Sequence, residues 1–488
     1  MKLLTSRSGR TGPTIVVVAA LVAVTTACTK KTEPADRSQA PALGPPPSLT
    51  LPPTQTRVLS NGLRVLIVEA HEAPLAQVNL LVRAGSSDDP AGKFGIASLT
   101  AAMLDEGAGS RTSLQLADDV EFLGADLGTT SSFDASAVRL NVPVSRLAEA
   151  LPLMADVALR PTFPQAELDR LRQERITALL QAKDDPDSIA PMAFARLLYG
   201  TTHRYGTDAT GTERTLKAFT VADLKAFHAT AFQPGNATIV VTGDVTPDTV
   251  VPMLEAHFGA WTGTMPIARS MIAAPPQPPP GVYIVDVPGA EQSQIRIGWI
   301  GVPRATPDYF TLQVLNTVLG GAFTSRLNTN LREEHQYTYG ASSRFTMRVG
   351  AGPFFAGAGV QTDKTSESLT EFFNELNAIG TPIPADELTK AKNYVALGFP
   401  ADFETIGDLA SRIEEQVVYG LPGDYFQNYV ASIQAVTADA AQKAAATYIQ
   451  PARFTVVVVG DRKVIEPGIR ALKLGEIKVL SVEEALGS

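Results

Sequence analysis

Two hydrophobic rhythms alternate along this chain. Arg57-Val58-Leu59 and Leu63 to Val68 read as strands flanking Ser60-Asn61-Gly62, a hairpin turn because Asn-Gly tolerates positive φ. Val78 to Val82 predicts a further strand. Ser113 can cap a helix running to Gly124, with Leu116, Val120 and Leu123 on one face. A longer amphipathic helix is expected after Pro164, carrying Leu168, Leu171, Ile176 and Leu179. The continuous apolar runs at 238–242 and 454–459 suit central strands. Hairpins interleaved with helices favour α+β layers over a doubly wound sheet.

The pattern occurs twice. Gln233-Pro234-Gly235-Asn236-Ala237-Thr238-Ile239-Val240-Val241-Thr242-Gly243-Asp244 recurs as Gln450-Pro451-Ala452-Arg453-Phe454-Thr455-Val456-Val457-Val458-Val459-Gly460-Asp461. Leu198-Tyr199-Gly200 recurs as Val418-Tyr419-Gly420, and Phe163-Pro164-Gln165-Ala166-Glu167-Leu168 as Ile383-Pro384-Ala385-Asp386-Glu387-Leu388. A period of about 220 residues means duplicated domains rather than a solenoid. The expected division is a first domain at 57–265, a linker at 266–281 stiffened by Pro275-Pro276-Gln277-Pro278-Pro279-Pro280, a second domain at 282–475 and a tail at 476–488.

Ahead of the first domain, Lys2, Arg7 and Arg10 precede an apolar run from Thr14 to Val24 that reaches Thr25-Thr26-Ala27-Cys28. This is the pattern of a secretory signal, residues 1–27, and the run is too short for a comfortable transmembrane span. Cys28 is the chain's one cysteine and stands where a bacterial lipoprotein carries its lipidated thiol; the alternative is plain secretion, since Thr25 takes the place of the usual aliphatic residue. Thr29 in place of an aspartate favours the outer membrane. Residues 28–56, with Pro45-Pro46-Pro47 and Pro52-Pro53, would form a semi-stiff tether. A formal charge of −9 without a basic cluster argues against nucleic acid as a partner.

The richest segment runs Gly320-Gly321-Ala322-Phe323-Thr324-Ser325-Arg326-Leu327-Asn328-Thr329-Asn330-Leu331-Arg332-Glu333-Glu334-His335-Gln336-Tyr337-Thr338-Tyr339-Gly340. It resembles the second-domain signature of the insulinase/pitrilysin-type metallopeptidases, which carry an inverted His-x-x-Glu-His zinc motif in their first domain. The Asn61-Gly62 hairpin, Asp184-Asp185-Pro186, and Gly243-Asp244 with Trp261 beyond it match the family in order. The resemblance implies two similar domains, each a mixed sheet packed with helices, closed like a clamshell around an unfolded peptide, as in mitochondrial-processing-peptidase-like metalloenzymes and LuxS.

The resemblance places the zinc motif in Gly95 to Leu104, where Ser98, Ala101 and Ala102 hold the positions of the two histidines and the glutamate. An alanine can neither bind metal nor move a proton. The helix that would supply a third ligand lies near Glu174, which by itself reads as a solvated surface residue. The histidines, His71, His203, His228, His257 and His335, are not spaced as ligands on any one element. No Ser-His-Asp elbow, nucleophilic cysteine or phosphate loop stands out, and Gly320, Gly321, Gly350 and Gly352 read as turn glycines.

Arg332 and Tyr339 match the pair that the family sets opposite the zinc. A tyrosine hydroxyl can donate to an oxyanion, and an arginine can hold a peptide carbonyl or carboxylate. On spacing alone the pair is unremarkable, and Arg332 on a solvated helix face with Tyr339 packed at a strand start is the bland alternative. Arg326 is expected to be structural. The reading is of a chain inactive by itself and without its own metal, which binds peptide through Arg332 and Tyr339 while a zinc-bearing homologous subunit supplies the chemistry. The alternative is a peptide-binding or scaffold protein of the cell envelope.

Overall fold

The computed structural model describes residue 44 and residues 50–263 and 272–487; the signal, Cys28 and most of the tether lie outside them. Residues 46–488 form one compact unit.

Asn61 fixes the first turn. Its Oδ1 accepts from the Leu63 amide at 3.1 Å, and its Nδ2 donates to the Phe258 and Trp261 carbonyls at 2.9 and 2.8 Å. Gly62 adopts φ of 85°, and β1 (Gln55–Val58) folds back antiparallel on β2 (Arg64–Glu69). The first sheet is completed by β3 (Leu75–Val82), β6 (Asp126–Ser131), β7 (Ser136–Pro143) and β8 (Ala237–Gly243), with a small ribbon of β4 (Gly107–Ala108) and β5 (Arg111–Thr112) beside it. Its order is β1-β2-β8-β3-β7-β6.

The second sheet holds β9 (Gly281–Asp286), β10 (Gln292–Ile300), β11 (Thr338–Phe345), β12 (Pro353–Gln361), β13 (Thr455–Gly460) and β14 (Ile477–Leu480), ordered β11-β12-β10-β13-β9-β14. Five strands of each sheet correspond. β8 pairs in parallel with β2, as β13 does with β9, and the neighbours beyond are antiparallel in both sheets. The sequence repeat at Gln233 and Gln450 is this duplication.

The sixth strands differ. β1 enters ahead of its sheet, whereas β14 joins β9 in parallel from the other end of the chain. Residues 476–488, expected as a tail, therefore contain a strand and the short helix Val482–Leu486, because Ile477 and Val479 pack against the second core. At the other end, residues 55 and 56 of the expected tether already belong to β1. The helix expected from Ser113 is capped one residue earlier: the Thr112 hydroxyl accepts from the Gln115 amide at 3.3 Å and the Gln115 carboxamide accepts from the Thr112 amide at 3.0 Å.

Each sheet is covered on one face by its own helices and on the other by a helix from the opposite half. Helix Pro186–Tyr199 sets Ile189, Ala193 and Phe194 against Val285, Val457 and Val459 of the second sheet. Its repeat counterpart, helix Ile406–Tyr419, sets Leu409, Ala410 and Ile413 against Leu66, Val68 and Val240 of the first. Burial on both faces explains why β8 and β13 are continuously apolar rather than alternating. The second contact also carries a polar core: Glu414, buried, accepts from Asn79 Nδ2 at 2.6 Å and from Arg139 Nη2 at 2.5 Å.

Candidate functional site

The motif helix, Ile96–Ala102, begins where Asp89 tells it to. The buried Asp89 carboxylate accepts from the Gly95 amide at 2.6 Å and the Ala97 amide at 3.0 Å, satisfying two orphan donors of the first turn. Burial raises the Asp89 carboxyl to about 7, against the pull of those two donors. Gly95 sits at φ of 98°, and a Cβ there would lie 2.4 Å from the Thr210 carbonyl oxygen, so no other residue fits without moving that loop.

Ser98, Ala101 and Ala102 all lie on this helix, and the chemistry offered there is cationic. Arg175, on helix Gln165–Ala182, donates from Nη1 to the Ser98 hydroxyl at 3.2 Å and from Nη2 to the Ser98 carbonyl at 3.0 Å. Burial pulls its guanidinium below the usual arginine range, and the charge of Asp208 partly offsets this. Glu174 is turned away and half-exposed, its carboxylate 2.8 Å from Arg170 Nη1. A zinc ion needs several N, S or carboxylate donors, and here the motif positions carry one hydroxyl, already paired with a guanidinium, and two methyl groups. The residues present do not fit the metal.

The histidines give no second site. His71 lies at the surface between Asp244, 2.7 Å away, and Glu69, 3.3 Å away. His203 holds the Ala273 carbonyl at 3.1 Å, while His228 holds that of Ala158 at 2.9 Å and stacks on Phe232. His257 lies on helix Pro247–Phe258, and His335 stacks on Tyr337. Among the described residues no group of three or more His, Cys, Asp or Glu side chains is placed to hold a metal.

Arg332 and Tyr339 occupy the second half. The signature folds as two π-helical turns, Thr317–Gly321 and Thr329–Glu334, with the short turn Arg326–Asn328 between them, followed by β11. Arg332 lays its guanidinium over the exposed Phe323 ring, 4.2 Å from the centroid, and its Nη1 is buried without a hydrogen bond, 3.5 Å from Glu333 Oε1. Tyr339 is 89% exposed, which departs from the bland picture of a tyrosine packed at a strand start. The cause is a bulge: the β11–β12 register shifts between Thr338 and Ala341, and the Thr338 hydroxyl bridges the Gly340 amide at 3.0 Å and the Gly359 carbonyl at 2.6 Å. Between the two residues Gln336 takes a left-handed φ of 60°, pinned by Gln361 Nε2 donating to its carbonyl at 3.1 Å.

Arg326 forms a two-pronged pair with Glu387, at 2.8 and 2.6 Å. Of the glycines expected in turns, Gly350 and Gly352 lie in the β11–β12 connection, and several also permit close approach. A Cβ on Gly320 would lie 2.3 Å from the Ser343 amide, one on Gly321 2.7 Å from Asn316 Nδ2, and one on Gly352 would overlap the Thr346 carbonyl. Gly350 donates its amide to the Tyr205 hydroxyl at 3.1 Å, joining the halves.

The structure thus groups Ser98, Ala101 and Ala102 on one helix and Arg332 and Tyr339 at one end of β11, and among the described residues no hydrogen bond or ion pair links the two groups. Sequence reasoning missed three features. Arg175 follows Leu171 by four residues on the inward stripe of its helix, a charge on an apolar stripe that marked it. β6 is an edge strand tied to the motif helix by Thr129 Oγ1 donating to the Ala101 carbonyl at 2.7 Å. Gln336 carried no sequence signal for its left-handed backbone.

Residues 64–204 match the family described as Insulinase (Peptidase family M16), and residues 218–395 match the one described as Peptidase M16 inactive domain. The chain belongs to the insulinase family. Among insulinase-family relatives, an uncharacterized zinc protease of Mycobacterium leprae (strain TN) is 25% identical over 346 residues, covering 70% of this chain and 76% of the relative. Among solved structures, a peptidase M16 inactive domain from Pseudomonas fluorescens superposes with a TM-score of 0.78 at 28% identity, over 84% of this chain and 98% of that one. The periplasmic protease PqqL of Escherichia coli shares the fold, with a TM-score of 0.71 at 17% identity, over 90% of this chain and 50% of that one. This insulinase-family chain has, among its described residues, no helix long and apolar enough to cross a membrane.

Proposed function

We propose that this chain is a non-catalytic, peptide-binding subunit of a heteromeric zinc metallopeptidase of the cell envelope. The observation that carries the reading is the contrast between its two halves. In the first, Arg175 pairs with Ser98 on the helix to which the resemblance assigns the zinc motif. In the second, the Tyr339 hydroxyl stands free on a bulge beside an arginine whose buried Nη1 lacks a hydrogen bond. The open edge of β6, beside the motif helix, supports peptide binding, because an extended peptide can add to an unpaired strand through main-chain hydrogen bonds. Arg332 would hold a peptide carbonyl or carboxylate, and Tyr339 would donate to an oxyanion developing at the scissile carbonyl, the metal chemistry being supplied by the partner. A lipid on Cys28 would anchor the assembly at the outer membrane, with residues 28–56 as spacer.

The test is reconstitution. The purified mature chain is expected to hold no stoichiometric zinc and to leave unfolded peptides intact. It should gain chelator-sensitive peptidase activity on mixing with a zinc-bearing homologous subunit encoded beside it. One tightly bound zinc per chain with proteolysis by this chain alone overturns the proposal. Peptide binding without any zinc-bearing partner supports the envelope peptide-binding or scaffold alternative instead.

A further inference from the structure

A cavity of about 400 Å³ opens in the second half beside the edge strand β11, lined by Arg296 and Arg344 and by no acidic side chain. Its polar groups divide into used and unused. Asn316 and Ser343 satisfy each other: Asn316 Nδ2 donates to the Ser343 carbonyl at 3.0 Å, and the Ser343 hydroxyl donates to Asn316 Oδ1 at 2.8 Å. Arg344, by contrast, is exposed and makes no hydrogen bond or ion pair among the described residues, and neither does the Gln313 carboxamide. Arg296 is held from behind. Its Nη1 donates to the Ile295 carbonyl at 3.0 Å, its guanidinium lies 5.6 Å from the Phe355 ring centroid, and its nearest carboxylate, Asp187, is 3.6 Å away and 70% exposed. Burial works against its charge. The floor is built for this opening: with any side chain at Gly320 or Gly321 the helix end would collide with β11 or Asn316.

Two guanidinium groups, one desolvated and one without a partner, beside a free carboxamide and an aromatic wall form a receptor for a planar anion. We infer that the cavity lined by Arg296 and Arg344 binds a carboxylate of the peptide, either an acidic side chain or the free C-terminus. The inference rests on the peptide-binding reading and adds to it a preference for acidic ligands. Carboxylate recognition by an arginine fork is bidentate and charge-assisted, so loss of one guanidinium weakens it by about tenfold or more.

The experiment measures binding to the full mature chain by fluorescence anisotropy. The peptides are an extended labelled peptide with one internal glutamate and a free C-terminus, its Glu→Gln form, its C-terminal amide, and the doubly neutral form. Wild type is expected to bind the doubly neutral peptide about tenfold or more weakly, and Arg344→Ala to erase that difference while keeping its melting temperature. Whichever single neutralisation removes the preference identifies the source of the carboxylate. N-acetyl-glutamate titrated calorimetrically, with inorganic phosphate for comparison, probes the cavity without a peptide. If no peptide binds but N-acetyl-glutamate binds wild type and not Arg344→Ala, the peptide reading falls and the carboxylate site stands. If peptides bind regardless of charge and of Arg344, or if phosphate binds more tightly than N-acetyl-glutamate, the carboxylate site is overturned.

Discussion

Arg175 donates twice to Ser98, from Nη1 to the hydroxyl and from Nη2 to the carbonyl, and so joins helices Gln165–Ala182 and Ile96–Ala102. The guanidinium is a fixed cation that needs no deprotonated ligands. It bridges the two helices through hydrogen bonds alone.

This predicts that restoring the ligands will not restore the metal. The triple variant S98H/A101E/A102H should remain zinc-free, because Arg175 both repels a dication and pairs with the new glutamate. Adding Arg175→Glu should raise zinc affinity by about a hundredfold or more, since it removes a positive charge and supplies a further donor. Metal content and competitive zinc titration of both variants check this; equal loading of the two would sink it.

Tyr339 is exposed and its hydroxyl makes no hydrogen bond among the described residues, so Tyr339→Phe should leave the melting temperature unchanged. In the reconstituted complex it should lower kcat on the order of 10²-fold, the usual cost of one oxyanion donor. Arg332→Ala should act mainly through KM, because the bound peptide already uses that contact. Steady-state kinetics with a check of association decides the matter. Wild-type kinetics from both variants would leave this chain a contribution of shape alone.

Glu414 is a buried carboxylate between the halves, and its loss strands the buried Asn79 Nδ2 and removes the acceptor of Arg139 Nε and Nη2, while Arg139 Nη1 keeps the Thr130 hydroxyl. Glu414→Ala should destabilise by about 1–3 kcal/mol, the range for leaving buried donors without an acceptor; Arg139 is about a third exposed, which keeps the cost from rising further. Glu414→Gln, which keeps an acceptor oxygen, should cost less. Denaturant titration measures both, and an undisturbed Glu414→Ala variant would show that the contact between the halves rests on apolar packing.

Asp89 gives a pH signature. Its carboxyl is raised from the usual 3.8 to about 7 by burial, so the unfolded chain releases this proton at lower pH than the folded one. Stability from this group therefore falls between about pH 4 and pH 7 and levels off above. Asp89→Asn abolishes that slope, and the melting temperature of wild type minus that of the variant should shrink across the interval. Calorimetry at a series of pH values tests this; a constant difference would mean that the carboxyl titrates alike in both states.

Much of this was legible before any coordinate. The Asn61-Gly62 turn, the apolar runs of β8 and β13 and the duplicated Gln-Pro segments are local or repeated signals, set by φ preference and by burial on both faces. The empty motif was equally plain, because a methyl group cannot ligate a metal in any fold. Strand β14 was not, since two apolar residues around Lys478 become a strand only when the β9 edge is there to receive them.

The sequence by itself determined that the halves repeat one another, that Ser98, Ala101 and Ala102 offer neither imidazole nor carboxylate, and that Arg332 and Tyr339 lie in a segment resembling a family signature. Only the tertiary structure decided what pairs with Ser98, which helix covers which sheet, and that Tyr339 faces solvent. Those outcomes depend on residues far apart in the chain, Arg175 on Ser98 and Glu414 on Asn79 and Arg139, and on a register shift in β11. Periodicity reports which face of an element is apolar; the partner that meets that face is chosen only when the elements pack.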